Sequence, residues 1–296
     1  MPFYGEMIMQ KKTTKKVLHL AVAALTCAMS VSMFSGCESD RPEIEMQITF
    51  NNKTYTVDYV LYRKIAPSTT AHFLALAEQS YYDGMCIHSY ESNRLYTGAY
   101  KLKDGELEYQ KYYDIVKTYE NFPTTVWNGK PEDGGKELYT LYGEFSDNYF
   151  SVNNGSLLSE TFGSLTMYYT DKGNKANQPI DINPVNSNEW LRYSEYEFNS
   201  ATSQFFISFK STSATNSNYC TFATPTDEGK EALEDLQEAI DDYIEDTYGD
   251  ETGDFTKDVV VDINTDDIFA ASEEMTQVYS QPNAAIVIKS IKVTKY

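Results

Sequence analysis

The chain has 296 residues, 41% of them hydrophobic, enough for the packed core of one large domain or two small ones. Its formal charge of -20 excludes nucleic acid as a partner, because phosphate recognition needs a lysine- and arginine-rich surface and this one repels it. Its 25 tyrosines and 15 phenylalanines suit strands and peptide-binding surfaces.

At the N-terminus, Lys11, Lys12, Lys15 and Lys16 form a basic region, Val17 to Met33 is apolar, and Phe34-Ser35-Gly36-Cys37 follows. That order is the order of an export signal. Its end resembles a bacterial lipobox, in which small residues precede a cysteine that receives diacylglyceryl and becomes the first residue of the mature chain. Phe34 stands where leucine is usual. The resemblance implies a signal peptide over residues 1–36, lipidation of Cys37 and a mature protein outside the cytoplasm, lipid-anchored to the bacterial cell membrane. A simple secretory signal with an incidental cysteine is the alternative. Ser, Thr and Cys within the apolar stretch argue against a retained membrane span. Loss of residues 1–36 removes four lysines and one glutamate and leaves a side-chain charge of about -23. Cys86 and Cys220 then remain, both in apolar strand-like runs. Export permits a disulfide between them, but two buried thiols is the preferred reading.

Residues 37–45 read as a polar tether carrying Pro42, and 46–296 as one domain. Met46-Gln47-Ile48-Thr49-Phe50 alternates as a first strand, Asn51-Asn52 is a hairpin turn, and Tyr55 to Tyr62 returns. A helix follows with Pro67 at its first position and Ala71, Phe73, Leu74, Leu76 and Ala77 along one stripe. Short strands come next over Leu141 to Phe150, Gly163 to Tyr168 and Ser203 to Phe209. A second helix runs from Asp227 as N-cap to Gly249 at the position after its end, with Ala232, Leu233, Leu236, Ile240, Tyr243 and Ile244 on one face. Ala285 to Val293 is a closing strand. Many strands and two helices without βαβ alternation predict a mostly β protein, a closed antiparallel barrel capped by two helices.

Five blocks in order carry a family resemblance. Tyr81-Tyr82-Asp83-Gly84 runs into Ile87-His88-Ser89, and Ser200-Ala201-Thr202-Ser203-Gln204-Phe205-Phe206-Ile207 follows much later. Ala66 to Leu74, Gly143-Glu144-Phe145 with Gly163 to Met167, and Tyr219-Cys220-Thr221-Phe222 with Ile286 to Ser290 complete the set. Together they resemble a cyclophilin-type peptidyl-prolyl cis-trans isomerase over most of residues 46–296. Three stretches, about 101–138, 171–195 and 246–282, do not match and read as insertions. The first carries Tyr109, Tyr112, Tyr113, Tyr119 and Trp127 and is expected to pack as a subdomain.

The resemblance implies rotation of X-Pro bonds in unfolded or newly exported chains, so the expected partners are proline-containing polypeptides. The barrier is near 20 kcal/mol because C–N resonance is lost, and the catalyst needs only a proline pocket and a hydrogen-bond donor, with no cofactor, nucleophile or metal. In the family an arginine supplies the donor, a glutamine positions backbone, and aromatic and aliphatic side chains line the pocket. By that likeness Gln204 and Phe206 match the glutamine and the pocket phenylalanine, and His88 matches the family histidine. Ser89 stands at the catalytic arginine, Arg94 at a pocket phenylalanine, Leu95 at the methionine, Thr97 at a second glutamine and Ala214 near a pocket-closing residue. A hydroxyl in place of a guanidinium forfeits about 1.5 to 3 kcal/mol, on the order of 10- to 150-fold in rate. Arg94, five residues from Ser89, is the candidate substitute donor. The alternative is a catalytically inactive peptide-binding or assembly module on the cell surface; a structural surface protein that works through its insertions is a third reading.

Other signals carry less. His88 reads as a structural residue rather than a base. Three histidines without cysteine or carboxylate spacing give no zinc site. Asp241, Asp242, Glu245, Asp246, Asp250, Glu251 and Asp254 lack the ordered ligand loop of a calcium site and read as a solvated helix end. Ser89 and His88, adjacent on a strand, point to opposite faces and form no hydrolase pair.

Overall fold

The computed structural model describes residues 39–123, 141–146, 150–152, 157–169, 200–210, 219–249, 252–262 and 276–296. Strand alternation builds the first hairpin. Ile44, Met46, Ile48 and Phe50 of β1 (Glu43–Phe50) are buried, and β2 (Lys53–Leu61) answers with Tyr55, Val57, Tyr59 and Leu61. Asn51 and Asn52 both have positive φ, as the expected tight turn requires. The strand starts at Glu43 rather than Met46 because Ile44 continues the inward period. The tether, expected to reach Glu45, is therefore already tied down: the Leu61 N–H donates to Pro42 O at 2.8 Å and the Arg63 N–H to Asp40 O at 3.2 Å. The signal segment 1–36 and Cys37 lie outside the described residues.

Helix α1 (Pro67–Glu78) begins at the expected proline, and buries Phe73, Leu74, Leu76 and Ala77. Its N-cap residue, Ala66, has no side-chain acceptor. Glu144, far away in sequence, fills that role: Oε1 accepts from the Ser68 N–H at 2.9 Å and Oε2 from the Thr69 N–H at 2.8 Å. The buried carboxylate also faces the positive end of the helix dipole.

The remaining elements are β3 (Met85–Cys86), β4 (Ser89–Glu91), β5 (Arg94–Thr97), β6 (Tyr100–Lys103), β7 (Glu106–Tyr109), α2 (Tyr112–Val116), β8 (Leu141–Tyr142), β9 (Leu165–Tyr169), β10 (Ser200–Ser208), β11 (Cys220–Pro225), α3 (Asp227–Tyr248), β12 (Thr256–Asp262), β13 (Thr276–Pro282) and β14 (Ile286–Lys295). The main sheet runs β4-β5-β10-β9-β11-β2-β1-β14-β3-β6-β7, with β8 also on β10. It is a strongly curled half-barrel. A closed barrel is the sequence expectation; the described ladders instead form an open path whose end strands, β4 and β7, are not bonded to each other. Of the expected strand Leu141 to Phe150, the described residues pair only over Leu141–Tyr142.

Helix α3 packs on β2, burying Leu233, Leu236, Ile240 and Ile244. Its N-cap is Thr226 rather than Asp227: Thr226 Oγ1 accepts from the Gly229 N–H at 3.0 Å, which places Asp227 and Glu228 in the first turn, where they complement the dipole. Gly249 ends it with φ of 65°, as expected.

The first insertion does not form a separate subdomain where it is described. Residues 100–109 extend the sheet as β6 and β7, and Tyr112, Val116 and Phe122 join the main core. The stretch 171–195 lies outside the described residues. The third insertion folds back as the β12–β13 ribbon, whose two strands pair only with each other among the described residues. Cys86 and Cys220 are buried free thiols, and burial pushes both up to about 12.

Removing the distant cap has a stated cost. Glu144→Ala leaves two helix N–H groups without their acceptor and is expected to lower stability by about 1 to 3 kcal/mol in urea unfolding, against about 1 kcal/mol for Thr226→Ala at α3.

Candidate functional site

Strand β10 organises the site. Its ladder with β5 sets Phe205 opposite Thr97, Phe206 opposite Tyr96, Ile207 opposite Leu95 and Ser208 opposite Arg94, while β4 sets Ser89 opposite Tyr96. Alternation then sorts the side chains. Ser89, Arg94, Tyr96, Gln204, Phe206 and Ser208 share one face. Leu95, Thr97, Phe205 and Ile207 share the other. Leu95 packs in the hydrophobic core, and Thr97 Oγ1 donates to Cys86 O at 2.9 Å. The structure therefore does not bring Leu95 and Thr97 to the face that carries Gln204 and Phe206.

Two of the motif segments, 121 residues apart in the chain, meet here. Tyr82 Oη donates to Ser203 O at 3.2 Å, Tyr81 Oη and Ser203 Oγ are 3.1 Å apart, and Ser203 Oγ donates to Gly98 O at 2.6 Å. Gly98 has φ of 97°, and a Cβ there would lie 2.4 Å from Ser203 O. Only glycine lets this turn cross β10 at the residue before Gln204.

The face is covered by the third insertion. The Ser280 N–H donates to Ser89 Oγ at 3.1 Å, and Ser89 is 1% exposed. Tyr279, 3% exposed, packs its ring 4.7 Å from His88 and 5.5 Å from Tyr100. Across the first insertion, Gln281 Nε2 donates to Gly105 O at 3.4 Å. Beneath this cover, neither nitrogen of His88, neither end of the Gln204 amide and not the Tyr279 hydroxyl finds a protein partner in hydrogen-bond geometry. Gln204 lies close enough to both His88 and Tyr279 for a weak, poorly aligned polar contact with each.

Arg94 has its own partners. Its Nε and Nη2 donate to Glu160 Oε1 and Oε2 at 2.9 and 2.6 Å, and its guanidinium lies 4.5 Å over the Phe206 ring and 5.5 Å from Tyr219. Glu160 is fully buried, also accepts from Ser208 Oγ at 2.8 Å, and is 3.8 Å from Lys210 Nζ. Burial pulls the guanidinium down, but the Glu160 hydrogen bonds outweigh it and the group is held protonated. The fork expected to serve as substitute donor is thus committed to a carboxylate and stacked on the pocket phenylalanine. Ala214 lies outside the described residues.

Burial lowers His88 to about 3, against a smaller opposing effect from Gln204, so it is neutral near pH 7 and is a ring rather than a base. Among the described residues no three His, Cys, Asp or Glu side chains converge as metal ligands. The chemistry within reach is polar contact and aromatic packing against an extended polypeptide.

The sequence model of the cyclophilin type peptidyl-prolyl cis-trans isomerase family matches residues 45–263, well over half of the chain. The chain belongs to that family. Among solved structures it is similar to a cyclophilin type peptidyl-prolyl cis-trans isomerase of Cryptosporidium parvum, at 16% identity and TM-score 0.42, covering 86% of this chain and 99% of that one. A second structure of that protein, in the presence of the dipeptide Ala-Pro, matches at 16% identity and TM-score 0.41 with the same coverage. No curated protein matches.

The sequence reading does not reach Glu160, Tyr100 or Tyr279. Glu160 sits alone in a Ser-Glu-Thr-Phe-Gly run with no periodicity to mark it. Tyr279 is one tyrosine among 25. Only the odd arginine at 94, placed where a pocket residue is expected, signals that a buried carboxylate must exist to meet it.

The buried histidines give a pH signature. His72 is bracketed by Pro123 O at 2.8 Å on Nδ1 and Thr202 O at 2.9 Å on Nε2. Burial lowers it to about 4, with the two carbonyls opposing. Both folded values lie below the unfolded one, so the unfolded chain takes up protons first. The contribution is whole above about pH 6.5 and is lost as pH falls towards about 4 for His72 and about 3 for His88, at ~1.4 kcal/mol per pH unit each. Urea unfolding from pH 6.5 to 4.5 should show His88→Asn losing stability less steeply than the native chain by about that slope.

Proposed function

We propose that this chain is a peptidyl-prolyl cis-trans isomerase of low turnover, acting on X-Pro segments of exported polypeptides and held at the cell membrane through lipidated Cys37. The observation that carries the reading is the joint placement of Gln204 and Phe206 on one face of β10, the face shared with Tyr96 and Ser89, within a family framework whose activity is X-Pro rotation. Low turnover follows from the donor. Ser89 occupies the position that the family likeness gives to the catalytic arginine, and its hydroxyl already accepts from the Ser280 N–H. A neutral hydroxyl stabilises the rotating amide by about 1.5 to 3 kcal/mol less than a guanidinium does.

A second reading has its own support. The Arg94–Glu160 pair commits the guanidinium nearest Phe206 to a carboxylate and the ribbon covers Ser89, which favours a catalytically inactive peptide-binding or assembly module. Exchange NMR on an Ala-Ala-Pro-Phe peptide with residues 38–296 separates the two. The isomerase reading expects measurable acceleration, roughly 10- to 150-fold below that of a cyclophilin with the arginine in place. Peptide binding without acceleration transfers the protein to the second reading. Arg94→Ala is expected to act on stability, lowering it by about 3 kcal/mol because the buried Glu160 loses its two-pronged guanidinium partner and keeps the Ser208 hydroxyl and the more distant Lys210. A proportionate fall in isomerase rate at unchanged stability would instead make Arg94 the donor.

A further inference from the structure

The β12–β13 ribbon sits on the cleft by one face only. Tyr279 and Gln281 of β13 point inward and are buried, whereas Val260 and Val278, a cross-strand pair on the other face, are 65% and 51% exposed. No backbone ladder joins the ribbon to the main sheet among the described residues. Its described polar ties to β4 and the β6–β7 turn are the Ser280–Ser89 and Gln281–Gly105 hydrogen bonds, the second of them long at 3.4 Å. A two-stranded ribbon is marginal in isolation and depends on the surface it lies against.

What it lies against does not repay it fully. Closing the ribbon buries both nitrogens of His88, the whole Gln204 amide and the Tyr279 hydroxyl with no well-aligned hydrogen bond, only weak polar contacts of Gln204 with His88 and Tyr279. Buried polar groups in that condition carry a desolvation cost that opening returns. The same surface, with Ser89, His88 and Gln204, is the one the family likeness assigns to the X-Pro segment. An extended strand of this chain, bearing an aromatic side chain, is therefore docked where a polypeptide would dock.

We propose that the β12–β13 ribbon is an intramolecular competitor for the cleft, with Tyr279 as its anchoring residue, and that a proline-containing polypeptide binds only by displacing it. The inference rests on the reading of the cleft given above. Apparent affinity is then the intrinsic affinity reduced by the fraction of molecules with the ribbon open. Tyr279→Ala removes the anchor while leaving Gln204, Phe206 and Ser89 in place.

The test uses residues 38–296 and the peptide Ala-Ala-Pro-Phe as probe, with affinity from NMR titration and amide hydrogen exchange of residues 256–262 and 276–282 with and without peptide. Tyr279→Ala is expected to bind at least about tenfold more tightly than the native chain. In the native chain, saturating peptide is expected to speed exchange of the ribbon amides, Ser280 among them. Equal affinities with ribbon exchange unchanged or slowed overturn the inference and leave the cleft reading standing. Binding by neither chain overturns both. The exchange measurement on the native chain decides the matter if Tyr279→Ala does not fold.

Discussion

Everything in the site depends on β10 being bonded along both edges and buried on both faces. Ladders to β5 and β8 on one side and β9 on the other fix its register, so each of its side chains has one allowed destination. Phe205 and Ile207 go to the core with Phe73 and Tyr82, while Gln204 and Phe206 go to the cleft. A slip of one residue would exchange the two sets. The tyrosine and glycine contacts at Ser203 pin the strand just before Gln204, which is why segments 121 residues apart in the chain act as one device.

The cleft is a place where stability and openness conflict. A guanidinium laid on Phe206 and neutralised by Glu160 fills apolar space that would otherwise face solvent, and Tyr279 does the same beside His88. Such fillings are favourable through area and ring packing. They also bury polar groups that gain little in exchange. The balance is set by how well those groups are partnered, and here the aromatic rings pack closely while the amide and imidazole make only weak, poorly aligned contacts.

The parts of the fold that follow from period and turn chemistry were legible. The β1–β2 hairpin, Pro67 opening α1, Gly249 closing α3 and the β10 motif all appear where alternation, proline and glycine place them. The misplacements have physical reasons. Thr226 rather than Asp227 caps α3 because a cap is defined by which side chain reaches the third N–H, and two adjacent polar residues look alike in sequence. Leu95 and Thr97 were carried into the site by likeness, yet a paired strand sends alternate residues to opposite sides, and theirs is the core. The ribbon was illegible because its partners are a serine hydroxyl and aromatic rings far away in the chain, contacts with no local pattern.

Glu144 capping α1 has a kinetic meaning. The helix opens at Pro67 with no acceptor of its own, and the carboxylate that completes it arrives from 75 positions downstream. Capping of its first turn therefore requires the intervening chain to have looped back, so this helix start depends on a non-local contact and not on helix propensity alone. Loop-closure entropy grows only logarithmically, so doubling the intervening segment adds about 0.6 kcal/mol. A scaffold stitched in this way can lengthen its insertions at little thermodynamic cost, provided the two ends of the stitch are kept.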